Sequence, residues 1–587
     1  MSISPNEVST DPVLQEVVRY RLTAIADEME HTLLRVAYSS IVKEGLDASA
    51  GIFDRLGRNI AQAAAIPIHL GCMIPAVERI VADFPAETID PGDIYILNDP
   101  YAGGTHLPDI AIIKPIFLSD ELFGFTVTMS HHQEIGGKTP GSLPTDATEI
   151  FQEGLQLPPM KLIDAGHPVD QVFRILERNV RTPNVVMGDL RAQLAACQVG
   201  DEKLQELNET LPLQDLRAAI DGLIRQADIL TRSRLAQMPD GKYTFTDYMD
   251  DDGVDVGQQI AITAAVEIHG DSLTIDFTGT SPQVRGPFNC VPASSIAATY
   301  YVLRAVIGDD VPNNSGCYQS LTLCLPEGTI VNPHRPAPVN SRTATVRRIG
   351  DALLGCFTQI VPDVVPAASC GQLLVMNFAG RTEGGEYFVS SELGVGGMGG
   401  RLGIDGIDAV ETDATNCMNV PAETLELEAP IQVTSWSLTE DSAGPGRWRG
   451  GLGTSKTFKF LSDDIVANYR GERHTTAPWG AQGGKAAAHT SAQISRASGQ
   501  VEQLRSKQML DLHTGDELTI NLSGGGGYGD PLLRSAEDVA RDVRNSRVSR
   551  LIAHDVYGVA LNDNGTVSKD LTARLRSEMR KTTGVME

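Results

Sequence analysis

Apolar residues recur at helical spacing in the first part of the chain. Asp11 and Pro12 form a helix-start signal, and apolar residues then follow at every third or fourth position from Val13 to Val36. This pattern predicts a helix of roughly 25 residues. The same periodicity predicts shorter helices over residues 71–84, 294–307 and about 342–360.

Strands are predicted between the first two of these helices and directly after the second. Residues 51–58 predict a β-hairpin with its turn at 55–57, and short apolar runs predict strands at 94–97, 111–117 and 122–129. The last of these strands ends close to a pair of histidines, His131 and His132.

The middle and end of the chain alternate between helical and extended patterns. A helical region over 170–235 is expected to break near Pro183 and Pro212, because proline ends or kinks a helix. Strand alternation returns over 241–279, and a charged amphipathic helix is predicted over 535–551.

These elements together predict a multidomain α+β protein with mixed α/β architecture. A length of 587 residues allows two or more hydrophobic cores. The expected regions are an N-terminal α/β region with the candidate metal-site motifs (1–165), a helical segment (166–240), a strand-rich region with Gly-rich loops (241–534) and a C-terminal helical tail (535–587).

The composition limits the partners and the location of the protein. A formal net charge of −27 opposes binding to nucleic acid and to anionic membranes. No apolar run approaches the roughly 20 residues that span a bilayer, and the first residues are too polar for a secretory signal. The eight cysteines are scattered without a CxxC pair, which indicates reduced thiols. A cytoplasmic location is therefore expected.

A Gly- and Pro-rich segment at 98–109 carries the residue types of a metal site. Its turns can bring Asp99, His106 and Asp109 to one point, with Asp99 as a candidate catalytic carboxylate. Imidazole nitrogens and carboxylate oxygens are the usual ligands of zinc and manganese at catalytic centres. The segment therefore predicts one side of a divalent metal site.

His131 and His132 follow the predicted strand over 122–129 and are candidates for the remaining ligand. Side chains that are adjacent along a strand point to opposite faces, so one of the two is expected to bind the metal. Which of them does so stays open from the sequence.

Two upstream residues are candidates for catalytic roles beside the metal. Asp47 lies among small and apolar residues and is a candidate general base or anchor for a substrate amine. His69, in the segment 66–71, is a candidate fourth ligand or oxyanion stabiliser.

Nucleotide-binding motifs are incomplete in this sequence. The GxGxxG match at 394–399 is followed by more glycine and not by a helix-forming segment, and the Gly-rich run before Lys456 lacks the glycine that a P-loop requires. The Gly-rich stretch 394–416 is instead expected to form an ordered functional or interface loop. The chain therefore carries no recognisable nucleotide site of its own.

Several motifs resemble one family of proteins. They are NDPYAGGTHLPD at 98–109, HHQEIGG at 131–137 followed by PGS, IPIHLG at 66–71, DFTGTSPQVRGPFN at 276–289, DSAGPGRWRGGLG at 441–453 and SGGGGYGDP at 523–531. Together they resemble the hydantoinase B/oxoprolinase family. That family includes the B subunits of ATP-dependent N-methylhydantoinases, 5-oxoprolinases and lactamases, and is related to a subunit of acetone and acetophenone carboxylases.

The resemblance implies a metal-bearing enzyme subunit that works with a partner. A hydantoinase A-like ATPase subunit of actin-like fold would use ATP to phosphorylate the carbonyl oxygen of a small cyclic amide, in a heterodimer or heterotetramer. This chain would hold the divalent metal, zinc first and manganese second, and complete the ring opening. His106, Asp109 and one of His131 and His132 match the family's ligand motif, and Glu134 stands where relatives often carry Asp.

Two other functions remain open at this point. A subunit of an ATP-dependent ketone carboxylase, of the acetone or acetophenone type, is the main alternative because of the related family. A non-catalytic scaffold for the ATPase would bind no metal and would tolerate His106→Ala. The cluster of histidine and aspartate residues argues against the scaffold.

Overall fold

A computed structural model describes residues 11–382 and 384–583. Over these residues the chain forms twelve α-helices: α1 (Pro12–Val36), α2 (Ser40–Lys43), α3 (Pro67–Asp83), α4 (Asp170–Asn179), α5 (Pro183–Thr210), α6 (Leu213–Leu235), α7 (Pro292–Ile307), α8 (Arg342–Ile360), α9 (Ala422–Glu428), α10 (Ala536–Arg544), α11 (Arg550–Asp555) and α12 (Lys569–Thr583). In the same ranges no helix is long and apolar enough to cross a membrane.

The strands of the described chain are β1 (Ala48–Asp54), β2 (Asn59–Gln62), β3 (Ile94–Leu97), β4 (Asp109–Leu118), β5 (Glu121–His131), β6 (Met160–Asp164), β7 (His167–Pro168), β8 (Gly241–Met249), β9 (Ile260–His269), β10 (Ser272–Asp276), β11 (Leu321–Cys324), β12 (Leu374–Arg381), β13 (Tyr387–Gly394), β14 (Ile431–Leu438), β15 (Thr454–Phe460), β16 (Ile465–Arg470), β17 (Ser491–Ser495), β18 (Val501–Gln503), β19 (Lys507–Leu512) and β20 (Glu517–Asn521).

These strands form four sheets, and the architecture is a mixed α/β one with several layers. The first sheet has seven antiparallel strands in the order β2-β1-β5-β4-β3-β6-β7. A four-stranded sheet follows in the order β11-β10-β9-β8, and its only parallel pair is β10 with β11. The last two sheets have the orders β13-β12-β16-β19 and β14-β15-β20-β17-β18. The fold class expected from the sequence is therefore confirmed, and the division into four regions stays a prediction.

Most of the predicted elements are present at their expected positions. The first helix, the hairpin formed by β1 and β2, and the breaks between α4, α5 and α6 are confirmed. Helix α3 begins earlier than predicted, because Pro67 occupies its first turn, where a missing N–H costs no hydrogen bond. Residue His69 therefore lies inside a helix and not in the loop before it.

The C-terminal tail differs from the prediction of a single helix over 535–551. Helix α10 ends at Arg544, and Ser546 has a positive φ of 52°, which a continuous right-handed helix does not allow. Helix α11 then starts anew with the Ser549 side chain accepting from the Ile552 backbone N–H. A charged amphipathic pattern can thus run across two short helices, and α12 follows them.

Helices cover both faces of the first sheet. Ala111 and Ile113 of β4 belong to the same apolar core as Met73 of α3. The alternate residue Ile112 belongs to a second core with Leu190 of α5. Side chains of successive strand residues therefore face α3 and α5 in turn, which decides where each functional side chain points.

Candidate active site

Three neighbouring strands present polar side chains in one row at the end of the first sheet. Asp109 is the first residue of β4 and is paired with His131, the last residue of β5. On the other side of β5, the backbone N–H of His131 donates to the carbonyl of Asp47, just before β1 begins. The antiparallel register thus places residues from distant parts of the sequence side by side.

His106 joins this row from the loop that precedes β4. Its Nδ1 lies 2.9 Å from the carbonyl oxygen of Asn340, which can only accept, so Nδ1 carries the proton. The Asn340 side chain also accepts from the backbone N–H of Leu107 at 3.1 Å. These contacts fix the ring so that its second nitrogen, Nε2, faces Asp109 and His131 with a free lone pair.

The three side chains form a compact set of ligand atoms. His106 Nε2 lies 2.8 Å from Asp109 Oδ1 and 3.2 Å from His131 Nδ1, and His131 Nδ1 lies 3.1 Å from Asp109 Oδ1. Metal–ligand distances of about 2.0–2.2 Å place neighbouring ligand atoms about 3–3.5 Å apart, so these separations fit one divalent ion. The residues could therefore bind a metal ion.

Protonation in this cluster favours metal binding. Burial lowers the pKa of His106 to about 3, so its imidazole is neutral at ordinary pH. The pKa of Asp109 lies well below its usual value: burial alone would raise it, but the positive charges of Arg342 and His69 outweigh this. Neutral imidazole and ionised carboxylate are the forms that bind a divalent cation.

The second oxygen of Asp109 is held by hydrogen bonds. Its Oδ2 accepts from the Thr105 hydroxyl at 2.6 Å and from the guanidinium of Arg342 at 2.5 Å. Arg342 is the first residue of α8 and is buried. The carboxylate is thus oriented with Oδ1 toward the two histidines, an arrangement typical of supported metal ligands.

His69 extends the site on the side of Asp47. Its Nε2 lies 3.5 Å from Asp47 Oδ1 and 3.6 Å from Asp109 Oδ2, and its Nδ1 lies 3.5 Å from the hydroxyl of Ser49. Burial opposes a charge on this ring, but the two carboxylates outweigh it and raise the pKa of His69. His69 is therefore placed to hold a proton between two acidic groups.

Other residues singled out in the sequence lie elsewhere. His132 points to the opposite face of the sheet, as strand alternation requires, and its Nε2 contacts Gln193 Oε1 of α5 at 2.9 Å. The Asp99 side chain accepts from the backbone N–H of Tyr101 and caps a short turn. Glu134 pairs with Arg181. The structure thus brings His131, and not His132, next to His106 and Asp109, and it gives Asp99 a structural contact.

A small pocket opens onto the cluster. Its wall includes residues that the sequence did not single out: Arg342, Thr343, Leu373, Val375, Thr415 and Arg470. They come from regions more than 200 positions away from the histidine motifs, so spacing along the chain could not reveal them. Thr415 lies in the predicted ordered Gly-rich stretch, which was the only signal for this wall.

The chain belongs to the hydantoinase B/oxoprolinase family, whose model matches residues 11–531. It is 36% identical to an uncharacterized protein of Methanocaldococcus jannaschii over 96% of this chain and 100% of that protein. It is 34% identical to the caprolactamase subunit beta of Pseudomonas jessenii, over 96% and 98% of the two chains. It is also 30% identical to the 5-oxoprolinase of Dictyostelium discoideum, over 88% of this chain but 40% of that protein.

Solved structures agree with this assignment. The crystal structure of the ATP-dependent caprolactamase from Pseudomonas jessenii matches with a TM-score of 0.91 at 32% identity, over 97% of this chain and 100% of that chain. The nucleotide-free structure of acetone carboxylase matches with a TM-score of 0.90 at 21% identity, over 98% and 83% of the two chains, which shows a shared fold alone. Relatives of this chain thus carry the names of hydrolases.

Proposed function

We propose that this protein is the metal-bearing subunit of an ATP-dependent cyclic-amide hydrolase. Its substrate would be a hydantoin, 5-oxoproline or a lactam whose carbonyl oxygen has been phosphorylated by an ATPase partner. The observation that carries this proposal is the buried cluster of His106, Asp109 and His131 at the end of a pocket. Family membership supports the choice of cyclic amides.

The cluster would hold a zinc ion, with manganese as the second choice. A neutral imidazole pair and one carboxylate are a typical ligand set for catalytic zinc. When bound, the cation supplies a Lewis acid and lowers the pKa of water toward neutrality. Asn340 fixes the ring of His106, and Arg342 and Thr105 fix the carboxylate of Asp109.

His69 and Asp47 provide groups for proton transfer beside this cluster. Asp47 Oδ1 can accept a proton from an attacking water, and His69 Nε2 can hold a proton between the two carboxylates. A proton held there can be delivered to the ring nitrogen when the amide bond breaks. Phosphorylation of the carbonyl oxygen makes the adjacent carbon more electrophilic. Activation of this carbon by the partner and removal of a proton from water by Asp47 therefore complement each other.

A separate ATPase explains how a chain without a recognisable nucleotide motif can belong to an ATP-dependent system. The caprolactamase relative is named as a beta subunit, and the matched region is 40% of a longer 5-oxoprolinase. Both facts support a partner of hydantoinase A type, either as a second subunit or as an additional segment. We propose a heterodimer or heterotetramer in the cytoplasm.

The test is a ring-opening assay on the chain co-purified with its ATPase partner. Hydantoin, 5-oxoproline and caprolactam are supplied with ATP, and the linear product, ADP and inorganic phosphate are quantified. We expect ring opening of at least one substrate with stoichiometric ATP hydrolysis. ATP-dependent fixation of bicarbonate onto a ketone, without ring opening, would contradict the proposal.

Asp47→Asn tests the proton-transfer role within the same assay. We expect turnover to fall by about 100-fold or more while metal content stays unchanged, because a general base contributes about 10²–10⁴-fold. Unchanged turnover with intact metal content would remove Asp47 from the mechanism.

A further inference from the structure

The wall of the pocket that includes Arg470 is built from a different part of the fold than the metal cluster. Arg470 is the last residue of β16, in the sheet formed by β13, β12, β16 and β19. It nevertheless lines the same pocket as His106, Asp109 and His131. A cationic side chain is thus placed at the site where an activated substrate would lie.

Arg470 differs from the deeply buried arginines of this protein in its partners. Each of those has a carboxylate oxygen within 4.0 Å, as seen for Arg342, Arg347, Arg348, Arg449, Arg473 and Arg534. Within the described residues, no ion pair of that kind is formed by Arg470. Its charge is therefore not matched by a carboxylate in direct contact.

The hydrogen bonds of Arg470 leave donors unused. One terminal nitrogen donates to the carbonyl of Val375 at 2.8 Å, and the other donates to the Ser341 hydroxyl at 3.3 Å. The Nε–H is buried without an acceptor among the described residues. A guanidinium has five N–H donors, so this side chain can bind an additional acceptor.

Burial makes the unmatched charge costly. It lowers the pKa of Arg470 to about 9, and Glu153 offsets only part of this effect. An anion in the pocket would remove the cost, because a charged acceptor restores both the Coulomb energy and the missing hydrogen bonds.

Arg342 gives the pocket a second guanidinium. Its terminal nitrogen contacts Asp109, but its Nε–H is also buried without an acceptor in the described part of the chain. Two planar guanidinium groups beside one pocket favour an oxyanion, since their forked donors match phosphate and carboxylate oxygens.

We infer that Arg470, assisted by Arg342, binds an oxyanionic group of the substrate next to the metal cluster. The shared chemistry is that of a phosphoryl group on the activated amide or a carboxylate on the ring. This inference rests on the proposed function only in that it names the substrate as the source of the anion. The presence of an oxyanion site can be measured on the chain alone, without turnover.

The experiment titrates inorganic phosphate and, separately, acetate into the purified metal-loaded chain by calorimetry at low ionic strength. Wild type is compared with Arg470→Gln and Arg470→Lys, and Arg505→Gln serves as the control because Arg505 is exposed. We expect Arg470→Gln to weaken oxyanion binding by about 10- to 100-fold. Arg470→Lys keeps the charge but loses the fork and should be intermediate, and Arg505→Gln should match wild type.

Each arm of the titration has a defined meaning. Tighter binding of phosphate than of acetate supports the phosphoryl group as the natural anion, and the reverse supports a ring carboxylate. Failure of wild type to bind either ion overturns the inference. So does binding that is lost on metal removal but is equal in wild type and Arg470→Gln, since the metal alone would then hold the anion.

Folding of the variants is checked by circular dichroism and by metal content, so that a misfolded Arg470→Gln is not counted. If Arg470→Gln does not fold, oxyanion binding is compared between wild type and Arg470→Lys alone. If the ring-opening assay finds no substrate but Arg470 still controls phosphate binding, the proposed hydrolase function fails while the oxyanion site stands.

Discussion

Two buried ionic clusters in this protein differ in how donors and acceptors are matched. In the first, Arg348 and Arg473 each contact both Asp247 and Asp351, at distances of 2.7–3.1 Å. In the second, built around His106, ring nitrogens of two imidazoles and one carboxylate oxygen converge on a common point. The first cluster balances its own charges, whereas the second could hold a metal ion.

Helix α8 connects the two clusters. It begins at Arg342, which contacts Asp109, and one to three turns later it carries Arg348 and Asp351. The same helix thus anchors both a buried ionic network and a candidate ligand of the proposed metal site. The comparison teaches that burial and charge alone do not single out a candidate metal site, whereas the convergence of possible ligand atoms does.

The largest effect is expected when the converging cluster loses a ligand. His106→Ala should lower ring-opening turnover by about 10²–10⁴-fold, because a catalytic metal contributes several kcal/mol to the transition state. Unfolding free energy should change far less. The assay is steady-state ring opening with the ATPase partner, and His489→Ala is the control because His489 is exposed. Equal loss in both variants would contradict a specific role for His106.

The matched cluster should respond in the opposite way. Asp351→Ala leaves two buried guanidinium groups with one carboxylate fewer and should lower the free energy of unfolding by about 3–5 kcal/mol. Metal content of the folded fraction should be retained. The measurement is denaturant unfolding followed by circular dichroism.

A surface ion pair provides the control for this prediction. Asp146 is exposed and pairs with Lys138 at 2.8 Å, so Asp146→Ala should cost at most about 1 kcal/mol. A similar small loss for Asp351→Ala would show that the buried network is not structural. Loss of metal from folded Asp351→Ala would show that the two clusters are coupled through α8.

Two adjacent histidines at the end of β5 sharpen the comparison. His131→Ala should abolish metal binding, whereas His132→Ala should keep the metal and lose about 1–3 kcal/mol of stability, since it removes a buried partner of Gln193. Metal analysis and denaturant unfolding on both variants provide the measurement. Loss of the metal from His132→Ala but not from His131→Ala would overturn the choice of His131 as a ligand.

The smallest effect is a pH dependence outside both clusters. Burial and then Asp27 raise the pKa of Glu30 to about 7, above the unfolded value of 4.5. A raised carboxyl pKa contributes stability that is full below about pH 4.5 and is lost as pH rises through 7. Glu30→Gln should therefore be more stable than wild type by about 1–2 kcal/mol at pH 8.

Thermal or denaturant unfolding at pH 4 and pH 8 checks this sign. The difference between Glu30→Gln and wild type should shrink toward zero at pH 4, where the wild-type carboxyl is protonated in both states. A constant difference at both pH values would mean that Glu30 does not titrate as inferred. Glu28→Gln on the exposed face of α1 provides the matched control.

Much of the fold was predictable because its signals are local. Helical periodicity and proline positions revealed α1 and the breaks between α4, α5 and α6, and the strand end at His131 followed from an apolar run. Strand alternation also indicated that His131 and His132 could not both face one site. By contrast, the break in the helix at Asn545 and Ser546 was not predictable, because the amphipathic pattern continues beyond these two residues.

The wall of the site opposite the histidines could not be predicted in this way. Arg342 was visible only as the start of a predicted helix, and Arg470 lay in the strand-rich region without any signal of its own. Their proximity to Asp109 and the pocket is created by the packing of separate sheets, which no spacing along the chain encodes. Asp99, which the sequence favoured, is used as a turn cap because its neighbours form a tight loop.

The central claim is that His106, Asp109 and His131 bind one divalent cation. Elemental analysis of the purified chain tests it most directly, on wild type and on the double variant His106→Ala/Asp109→Ala. We predict about one zinc or manganese ion per wild-type chain and none in the double variant. No metal in either protein after exposure to zinc and manganese, or equal metal in both, would contradict the claim and leave the pocket without its proposed reactive centre.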